Sequence, residues 1–366
     1  MTYKAAVTFV LVPFRAPFET AAGTWTARES RLLRLEREDG RAGWGEAVLE
    51  DAGDAPVLDA LFDELVATGL PPADALVSRT GAAGRAFRAA LGGALLDLGS
   101  IEGSASQPTS SDEPSPGVGV NATIGAVDTA AAVEAAGAAV AKGFRTLKLK
   151  AGPADTMASL VERLFAVRST VGDDVALRLD VNGTWTPGEA AERLRALAGV
   201  RLQYVEQPLD PAALADASEL RASTGTPLAA DEAVESLEGA RAILDAGAAD
   251  VLVVKPARVG GPAVVAGIAA LAAARGVPVV LSSLFETGVG LATALACAAA
   301  LPDVPGWPAA ERDHGLATAD LLRDDLLVRP LLAAAGRMRP PGGPGTGGLG
   351  VRVDDRAVAR YRVSGA

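Results

Sequence analysis

The sequence contains a single cysteine, Cys297, and a single histidine, His314, among its 366 residues. One cysteine cannot form an internal disulfide, which suits a reducing compartment. A zinc site is disfavoured because histidine and cysteine ligands are almost absent. Cys297 lies in an apolar, alanine-rich run, so we interpret it as a buried helix residue and not as a nucleophile.

Positive charge and long hydrophobic runs are also scarce. The formal net charge is −11 and no basic tract offsets it, which argues against non-specific binding of nucleic acid. The most apolar windows, such as 262–275 and 287–301, are shorter than a membrane span and contain glycine or arginine. Residues 1–4 lack the order of a signal peptide, so we expect a soluble, cytoplasmic protein.

Aromatic residues make up only 4% of the chain, whereas apolar residues reach 49% and the excess is alanine. This composition suits amphipathic helices packed on a sheet better than a β-sandwich. The length allows one large α/β barrel together with a smaller domain.

The first hundred residues predict an α+β unit. The predicted elements are strands at 3–12 and 31–38 and helices at 56–68 and about 82–101. Between the two strands, residues 13–30 are rich in turn formers and carry three aromatic residues, so we expect a loop that covers part of the molecule. Residues 103–117 are rich in serine, proline and glycine and predict a flexible linker at a domain boundary.

From residue 118 onward, predicted strands and alanine-rich helices alternate. The strands are expected at about 118–124, 144–150, 175–181, 201–206, 227–231, 250–255 and 277–283. Such alternation is typical of parallel βαβ units, and seven or eight in succession favour a TIM-type barrel, although the pattern alone also allows an open doubly wound sheet. Beyond about 323 the alternation stops, and we expect this segment, with a strand at 350–353, to return to the N-terminal domain.

Ionisable residues stand at the ends of five consecutive predicted strands. They are Lys150, Asp180, Glu206, Asp231 and Lys255, spaced by 30, 26, 25 and 24 residues. Each step is one βα unit, so all five lie at the carboxyl end of the barrel, where active sites of such folds are built. A single residue of this kind is explained as a helix cap or a solvated charge. Five in succession make that explanation improbable.

Asp180, Glu206 and Asp231 offer carboxylate oxygens from three neighbouring strands, which suits Mg²⁺, with Mn²⁺ as a possible substitute. Lys150 and Lys255 come from opposite sides of the ring and would flank whatever the metal holds. A metal on a carboxylate favours loss of the adjacent proton, and a neutral lysine can accept that proton. The sequence therefore predicts proton abstraction next to a carboxylate of a small-molecule substrate.

This arrangement resembles the muconate-lactonizing subgroup of the enolase superfamily. The residues that carry the resemblance are the Lys148-Leu149-Lys150 strand, the Asp/Glu/Asp triad and the lysine on the sixth strand. The resemblance implies a modified TIM barrel, (β/α)7β, under an α+β capping domain. It assigns the capping domain to 1–117, the barrel to 118–322 and a C-terminal segment that returns to the cap to 323–366.

Further motifs are similar to the o-succinylbenzoate synthase family within that superfamily. They are Val120-Asn121-Ala122-Thr123-Ile124, Asp180-Val181-Asn182, Glu206-Gln207-Pro208 and the run from Ser282 to Leu291. The sequence departs from the pattern at Ala233, where a serine is common. This resemblance implies a lyase of menaquinone biosynthesis, a hydro-lyase that dehydrates 2-succinyl-6-hydroxy-2,4-cyclohexadiene-1-carboxylate to 2-succinylbenzoate.

The resemblance also implies roles for individual residues. Lys150 would remove the proton, Lys255 would stabilise the resulting charge from the opposite face, and Lys148 would tune Lys150. Substrate contacts are expected from Asn182, Ser282, Ser283 and Thr20. The cap loops around Phe18, Thr20, Trp25 and Glu50 would close over the substrate.

Several alternatives remain open at this point. An N-succinylamino-acid racemase uses the same two lysines, so the constellation does not separate it from a dehydratase. A dipeptide epimerase is disfavoured because 302–316 contains no clear Asp-x-Asp motif. A non-catalytic barrel that binds a small acid is disfavoured because all five strand-end residues are present, and no phosphate-binding motif supports a nucleotide site. The oligomeric state is not predicted.

Overall fold

The computed structural model describes residues 3–20, 23–79, 81–99, 117–342 and 348–363. The predicted linker over 103–117 lies outside the described residues except for Gly117. Among the described helices, none is long and apolar enough to cross a membrane.

The N-terminal region forms a three-stranded antiparallel sheet of β1 (Tyr3–Thr20), β2 (Gly23–Arg37) and β3 (Ala42–Ala47). The loop predicted over 13–30 is therefore wrong, because both arms of a long hairpin continue through it. Phe18 pairs with Trp25, and the register shifts between Pro13 and Phe18. This irregularity accommodates the prolines, which have no backbone N–H to donate to a regular ladder. Pairing between the two strands thus outweighs the local turn propensity of these residues.

Three helices, α1 (Ala55–Thr68), α2 (Ala73–Ser78) and α3 (Gly81–Asp97), follow this sheet. Helix α3 packs directly on β3, where Gly43 and Gly45 allow the two backbones to meet. A Cβ atom on Gly45 would lie 1.8 Å from the Ala90 carbonyl oxygen, so only glycine fits. Leucines of β2 and aromatic residues of α1 and α3 fill the space between the layers.

The remaining chain alternates strands and helices as predicted. After β4 (Val118–Gly119) the elements are β5 (Ala122–Ile124), α4 (Thr129–Ala141), β6 (Thr146–Lys150), α5 (Met157–Val171), β7 (Ala176–Asp180), α6 (Pro187–Leu197), β8 (Tyr204–Glu206), α7 (Leu214–Thr224), β9 (Leu228–Ala230), α8 (Leu237–Ala246), β10 (Val251–Val254), α9 (Pro256–Val259), α10 (Pro262–Ala273), β11 (Val279–Leu281) and α11 (Gly288–Ala299). Polar residues cap many of these helices, and Thr186 and Glu189 form a complete capping box on α6.

The seven strands from β5 to β11 form one parallel sheet in sequence order. The sheet closes because His314 bridges Val120 and Gly315 bridges Ser282, both in parallel orientation. Residues 314–315 thus take the place of an eighth strand. The barrel is confirmed, and the open doubly wound sheet is excluded.

Successive side chains along each barrel strand point alternately into the barrel interior and towards the surrounding helices. On β6, Leu147 and Leu149 join Leu160 and other helix residues in the core between strands and helices. Each fully buried leucine of this kind contributes roughly 1.5–3 kcal/mol. Lys148 and Lys150, which alternate with these leucines, must then point into the barrel.

The C-terminal segment runs back to the N-terminal sheet. Strand β12 (Arg337–Met338) pairs with β4, and helix α12 (Asp355–Tyr361) is followed by a bridge between Arg362 and Val10. The strand predicted at 350–353 is wrong, because only Val353 forms a bridge, to Leu327. The Asp97 carboxylate accepts the Val351 amide at 3.1 Å, which removes a donor that a strand would need. The division into 1–117, 118–322 and 323–366 stays a prediction.

Gly45→Ala tests the close approach of α3 and β3. We expect it to lower the free energy of unfolding by about 1–3 kcal/mol, because the added methyl group forces the helix away from the sheet. The matched control is Gly137→Ala on α4, where a Cβ meets nothing within 4 Å, and which should stabilise the protein by about 0.5–1 kcal/mol. Urea titration measures both, and equal effects would contradict the close-packing account.

Candidate active site

Three buried carboxylates meet at the carboxyl end of the barrel strands. Asp180 and Glu206 end the adjacent strands β7 and β8 and stand in register, and Asp231 follows β9. One oxygen from each lies within 4.8 Å of the others, and none of the three residues is more than 1% exposed. The structure thus brings together the triad that the sequence predicted.

The predicted lysines surround these carboxylates. The Lys148 Nζ atom lies 2.9 Å from Asp180 Oδ2 and 2.8 Å from Glu206 Oε1. The Lys150 Nζ atom lies 2.6 Å from the same Asp180 oxygen. On the other side, Lys255 Nζ lies 2.5 Å from Asp231 Oδ2. Lys150 and Lys255 therefore approach the triad through different carboxylates.

Burial and neighbouring charges together set the pKa values of these groups. Burial opposes ionisation of Asp180, but the Lys148 and Lys150 ammonium groups outweigh it and hold the pKa of Asp180 well below its usual range. Burial together with the Asp180 charge raises the pKa of Glu206 to about 8. Burial would lower the pKa of Lys148, but Asp180 and Glu206 raise it well above its usual value, so Lys148 stays protonated.

The triad has the donor chemistry of a site for a hard divalent cation. All three donors are carboxylate oxygens, and no histidine or cysteine joins them among the described residues. Oxygens on opposite sides of a small divalent ion lie roughly 4 Å apart, and the three donor oxygens of the triad all lie within 4.8 Å of one another. Asp180, Glu206 and Asp231 could therefore hold such an ion.

Arg258 was missed by the sequence analysis. It lies on α9, three residues after Lys255, and its NH1 atom donates to Asp231 Oδ1 at 2.7 Å. The same guanidinium contacts both oxygens of Glu50, at 2.5 and 2.8 Å. Burial opposes the charge on Asp231, but Lys255 and Arg258 lower its pKa. Only the tertiary fold brings Glu50 to this position, so no local pattern could have revealed the contact.

Asn182 lies directly beside the proposed base. Its Oδ1 atom lies 3.2 Å from Lys150 Nζ, and its Nδ2 donates to Glu232 Oε1 at 2.9 Å. Asn182 adopts a left-handed backbone conformation with φ of 52°, which asparagine tolerates better than most residues. Glu232 was not predicted, although it directly follows a predicted ligand.

The other predicted substrate contacts are only partly described. Ser282 and Ser283 follow β11 and are buried, and Ser283 Oγ lies 2.8 Å from Thr318 Oγ1. Neither serine hydrogen-bonds to the lysines or to the triad within the described part of the chain. Thr20 ends β1, and its side chain lies outside what the structure describes.

A buried carboxylate, that of Glu46, also connects the N-terminal sheet to α11. Glu46 of β3 accepts hydrogen bonds from Thr287 N, Thr287 Oγ1 and Gly290 N at 2.7–3.0 Å, at the helix N-terminus. Glu286, beside this contact, is 3% exposed and accepts from Leu284 N at 2.6 Å. Burial and the Glu46 charge raise the pKa of Glu286 to about 7.

The family model described as enolase C-terminal domain-like matches residues 130–357. The o-succinylbenzoate synthase of Thermobifida fusca (strain YX) is 40% identical over 220 residues, which is 60% of this chain and 65% of that protein. That of Mycobacterium ulcerans (strain Agy99) is 40% identical over 200 residues, or 54% and 57% of the two chains. The matched part thus spans less than two thirds of either relative.

Solved structures match over nearly the whole chain. The L-Ala-D/L-Glu epimerase from Bacillus subtilis aligns with a TM-score of 0.81 and 26% identity, covering 97% of this chain and 100% of that one. Muconate lactonizing enzyme from Pseudomonas fluorescens aligns with a TM-score of 0.84 and 25% identity, covering 99% of both chains.

Glu286→Gln tests whether the pKa of the buried Glu286 carboxyl group is raised in the folded protein. Since its pKa is raised from 4.5 to about 7 in the folded protein, the wild type should lose stability as the pH rises through that window. The variant lacks this penalty and should be more stable by about 3 kcal/mol at pH 8, with the difference shrinking towards pH 5. Urea titration at several pH values measures it. The exposed Glu192→Gln should change stability by about 0.5 kcal/mol at most, and a pH-independent effect at Glu286 would contradict the assignment.

Proposed function

Because the chain belongs to the enolase C-terminal domain-like family, we propose that it is an o-succinylbenzoate synthase. This lyase would dehydrate 2-succinyl-6-hydroxy-2,4-cyclohexadiene-1-carboxylate to 2-succinylbenzoate in menaquinone biosynthesis. The placement of Lys150 and Lys255 at different carboxylates of one buried triad is the observation that carries the reaction class, removal of a proton next to a carboxylate. The activity named for the relatives supports the choice of substrate.

We infer that Asp180, Glu206 and Asp231 hold Mg²⁺, with Mn²⁺ as a possible substitute. The all-oxygen donor set and its spacing support this ion. When bound, Mg²⁺ withdraws electron density from the substrate carboxylate and makes the proton on the adjacent ring carbon more acidic.

The three lysines have different roles in the proposed reaction. Lys148 stays cationic between Asp180 and Glu206, so it cannot be the base and acts through its charge. Lys150, which lies beside Asp180 and Asn182, would accept the proton from the ring carbon that bears the carboxylate when its own amine is neutral. The electron pair of that C–H bond first gives an enediolate of the substrate carboxylate. That electron pair then forms the new ring double bond as the neighbouring C–O bond breaks. Lys150 returns its proton to the leaving hydroxyl, which departs as water, and Lys255 stabilises charge from the other side.

Other parts of the chain would bind and enclose the substrate. Asn182, Ser282, Ser283 and Thr20 are proposed contacts, and the hairpin around Phe18 and Trp25 would exclude water together with the loop at Glu50. We propose that 1–117 is the capping domain, 118–322 the barrel and 323–366 a segment that returns to the cap. The proposed binding partner is a small carboxylate substrate in the cytoplasm. Nucleic acid is not proposed as a partner, because the net charge of −11 does not favour it.

An N-succinylamino-acid racemase is the second candidate. Racemisation needs an acid and a base on opposite faces of one carbon, and Lys150 and Lys255 could serve in those roles. Dehydration is favoured because the 40% identical relatives are named as synthases.

Lys150→Ala should lower turnover by about 10²–10⁴-fold or more, because it removes the proposed base. Thermal unfolding and Mg²⁺ titration should show that the variant still folds and binds metal. The exposed Lys142→Ala on the barrel surface serves as the control and should keep full activity. Retained activity in Lys150→Ala would mean that the base is misassigned.

Asp231→Asn should weaken Mg²⁺ binding by about tenfold or more, because it replaces one of three carboxylate ligands. Isothermal titration with Mg²⁺ measures the affinity without any need for substrate. Asp245→Asn, at a carboxylate whose side chain is 56% exposed, should leave the affinity unchanged. An unchanged affinity in Asp231→Asn would remove this residue from the ligand set.

A further inference from the structure

The loop from Ser282 to Thr287, which joins β11 to α11, contains a backbone conformation that its sequence does not favour. Phe285 has a φ of 60°, in the left-handed region that bulky side chains rarely adopt. Glycine would fit this position without strain, but the chain carries phenylalanine there. Contacts from outside the loop must therefore hold the bend.

Those contacts come from one hairpin. The Phe285 ring lies 5.4 Å from the rings of Phe14 and Phe18, at 73° and 65°, and 5.8 Å from that of Trp25. The near edge-to-face geometry of the two phenylalanine pairs is one of the favourable arrangements of aromatic rings. Phe14 and Phe18 lie on β1 and Trp25 on β2, and we call these three residues the aromatic socket.

The loop is also fixed on both sides of Phe285. Before it, Ser283 Oγ contacts Thr318 Oγ1 at 2.8 Å and accepts the Phe285 amide at 3.4 Å. After it, Thr287 donates to Glu46 through both its amide and its hydroxyl. The hydrogen bond from the Phe285 amide to Ser283 Oγ thus couples the left-handed bend at Phe285 to the orientation of the Ser283 hydroxyl.

We propose that Phe285 is a positioning residue. Its ring, seated in the aromatic socket, holds the loop after β11 in the bend that orients Ser282 and Ser283 towards the substrate. The barrel loop that carries these two serines therefore takes its active shape only while the N-terminal hairpin is docked. The assignment of the serines as substrate contacts rests on the proposed function, whereas the coupling of loop and hairpin does not.

The kinetic test uses three substitutions at one position. Phe285→Ala should raise KM by roughly tenfold, the equivalent of one aromatic pair, with little change in kcat and none in Mg²⁺ affinity. Phe285→Gly relieves the strain but lacks the ring, so its KM should be raised as in Phe285→Ala. Phe285→Tyr keeps the ring and should retain the wild-type KM. Wild-type KM in Phe285→Gly would assign the effect to backbone strain and overturn the proposal.

The structural test needs no substrate. Backbone amide hydrogen exchange, followed by mass spectrometry, should accelerate in Phe285→Ala both at 284–290 and at the hairpin residues 14–18. Phe14→Ala should reciprocally accelerate exchange at 284–290. Phe165→Ala, which removes a half-exposed ring from α5, is the matched control and should change neither segment.

The two tests separate the possible failures. Hairpin exchange that is unaffected by Phe285→Ala overturns the coupling, whatever the enzyme's substrate. Coupled exchange with an unchanged KM overturns the positioning role. If the wild-type protein lacks dehydratase activity altogether, the proposed function fails, and the exchange measurements still decide whether Phe285 couples the loop to the hairpin.

Discussion

The pairing of buried carboxylates with buried cations at one end of the barrel is the interaction on which the rest of the structure depends. Asp180, Glu206 and Asp231 have almost no solvent contact, where an unpaired charge is strongly unfavourable. Lys148 bridges the first two, while Lys255 and Arg258 both contact the third. Each group compensates its neighbours, so removing any one of them changes the balance of buried charge. The same arrangement gives the site its chemistry, because it gathers hard oxygen donors and amines at one place.

The fold supplies this arrangement through strand register. Adjacent parallel strands end at the same height, so residues one βα unit apart in sequence become neighbours in space. The N-terminal region then adds two groups: Glu50, which follows β3, contacts Arg258, and Glu46 on β3 accepts hydrogen bonds at the N-terminus of α11. The aromatic socket engages the loop between β11 and α11. The site therefore depends on contacts between elements that are distant in sequence.

The sequence predicted the features that depend on local, repeating patterns, and it missed those that depend on contacts between distant residues. The alternation of strands and helices and the spacing of Lys150, Asp180 and Glu206 are local, repeating signals. They predicted the parallel βα units and the meeting of these side chains at one end of the sheet, whereas the closure of the sheet is seen only in the structure. The contact of Arg258 with Glu50 and the contacts of Phe285 with the aromatic socket join residues more than 200 positions apart, so no pattern in their own neighbourhood reveals these contacts. The hairpin over 13–30 was missed because turn-forming residues dominate locally, whereas pairing between its two arms decides the structure. The resemblance to a known family, and not the spacing, selected the substrate.

The most direct test of the central claim compares dehydration with racemisation in one experiment. The purified protein, supplied with Mg²⁺ in D₂O, is offered 2-succinyl-6-hydroxy-2,4-cyclohexadiene-1-carboxylate and, separately, N-succinyl amino acids. Both reactions begin with removal of a proton next to a carboxylate, so the comparison isolates the step that follows. The account predicts rapid formation of 2-succinylbenzoate, with a higher kcat/KM than α-deuteration of the amino acids. Rapid α-deuteration with little aromatic product would contradict it.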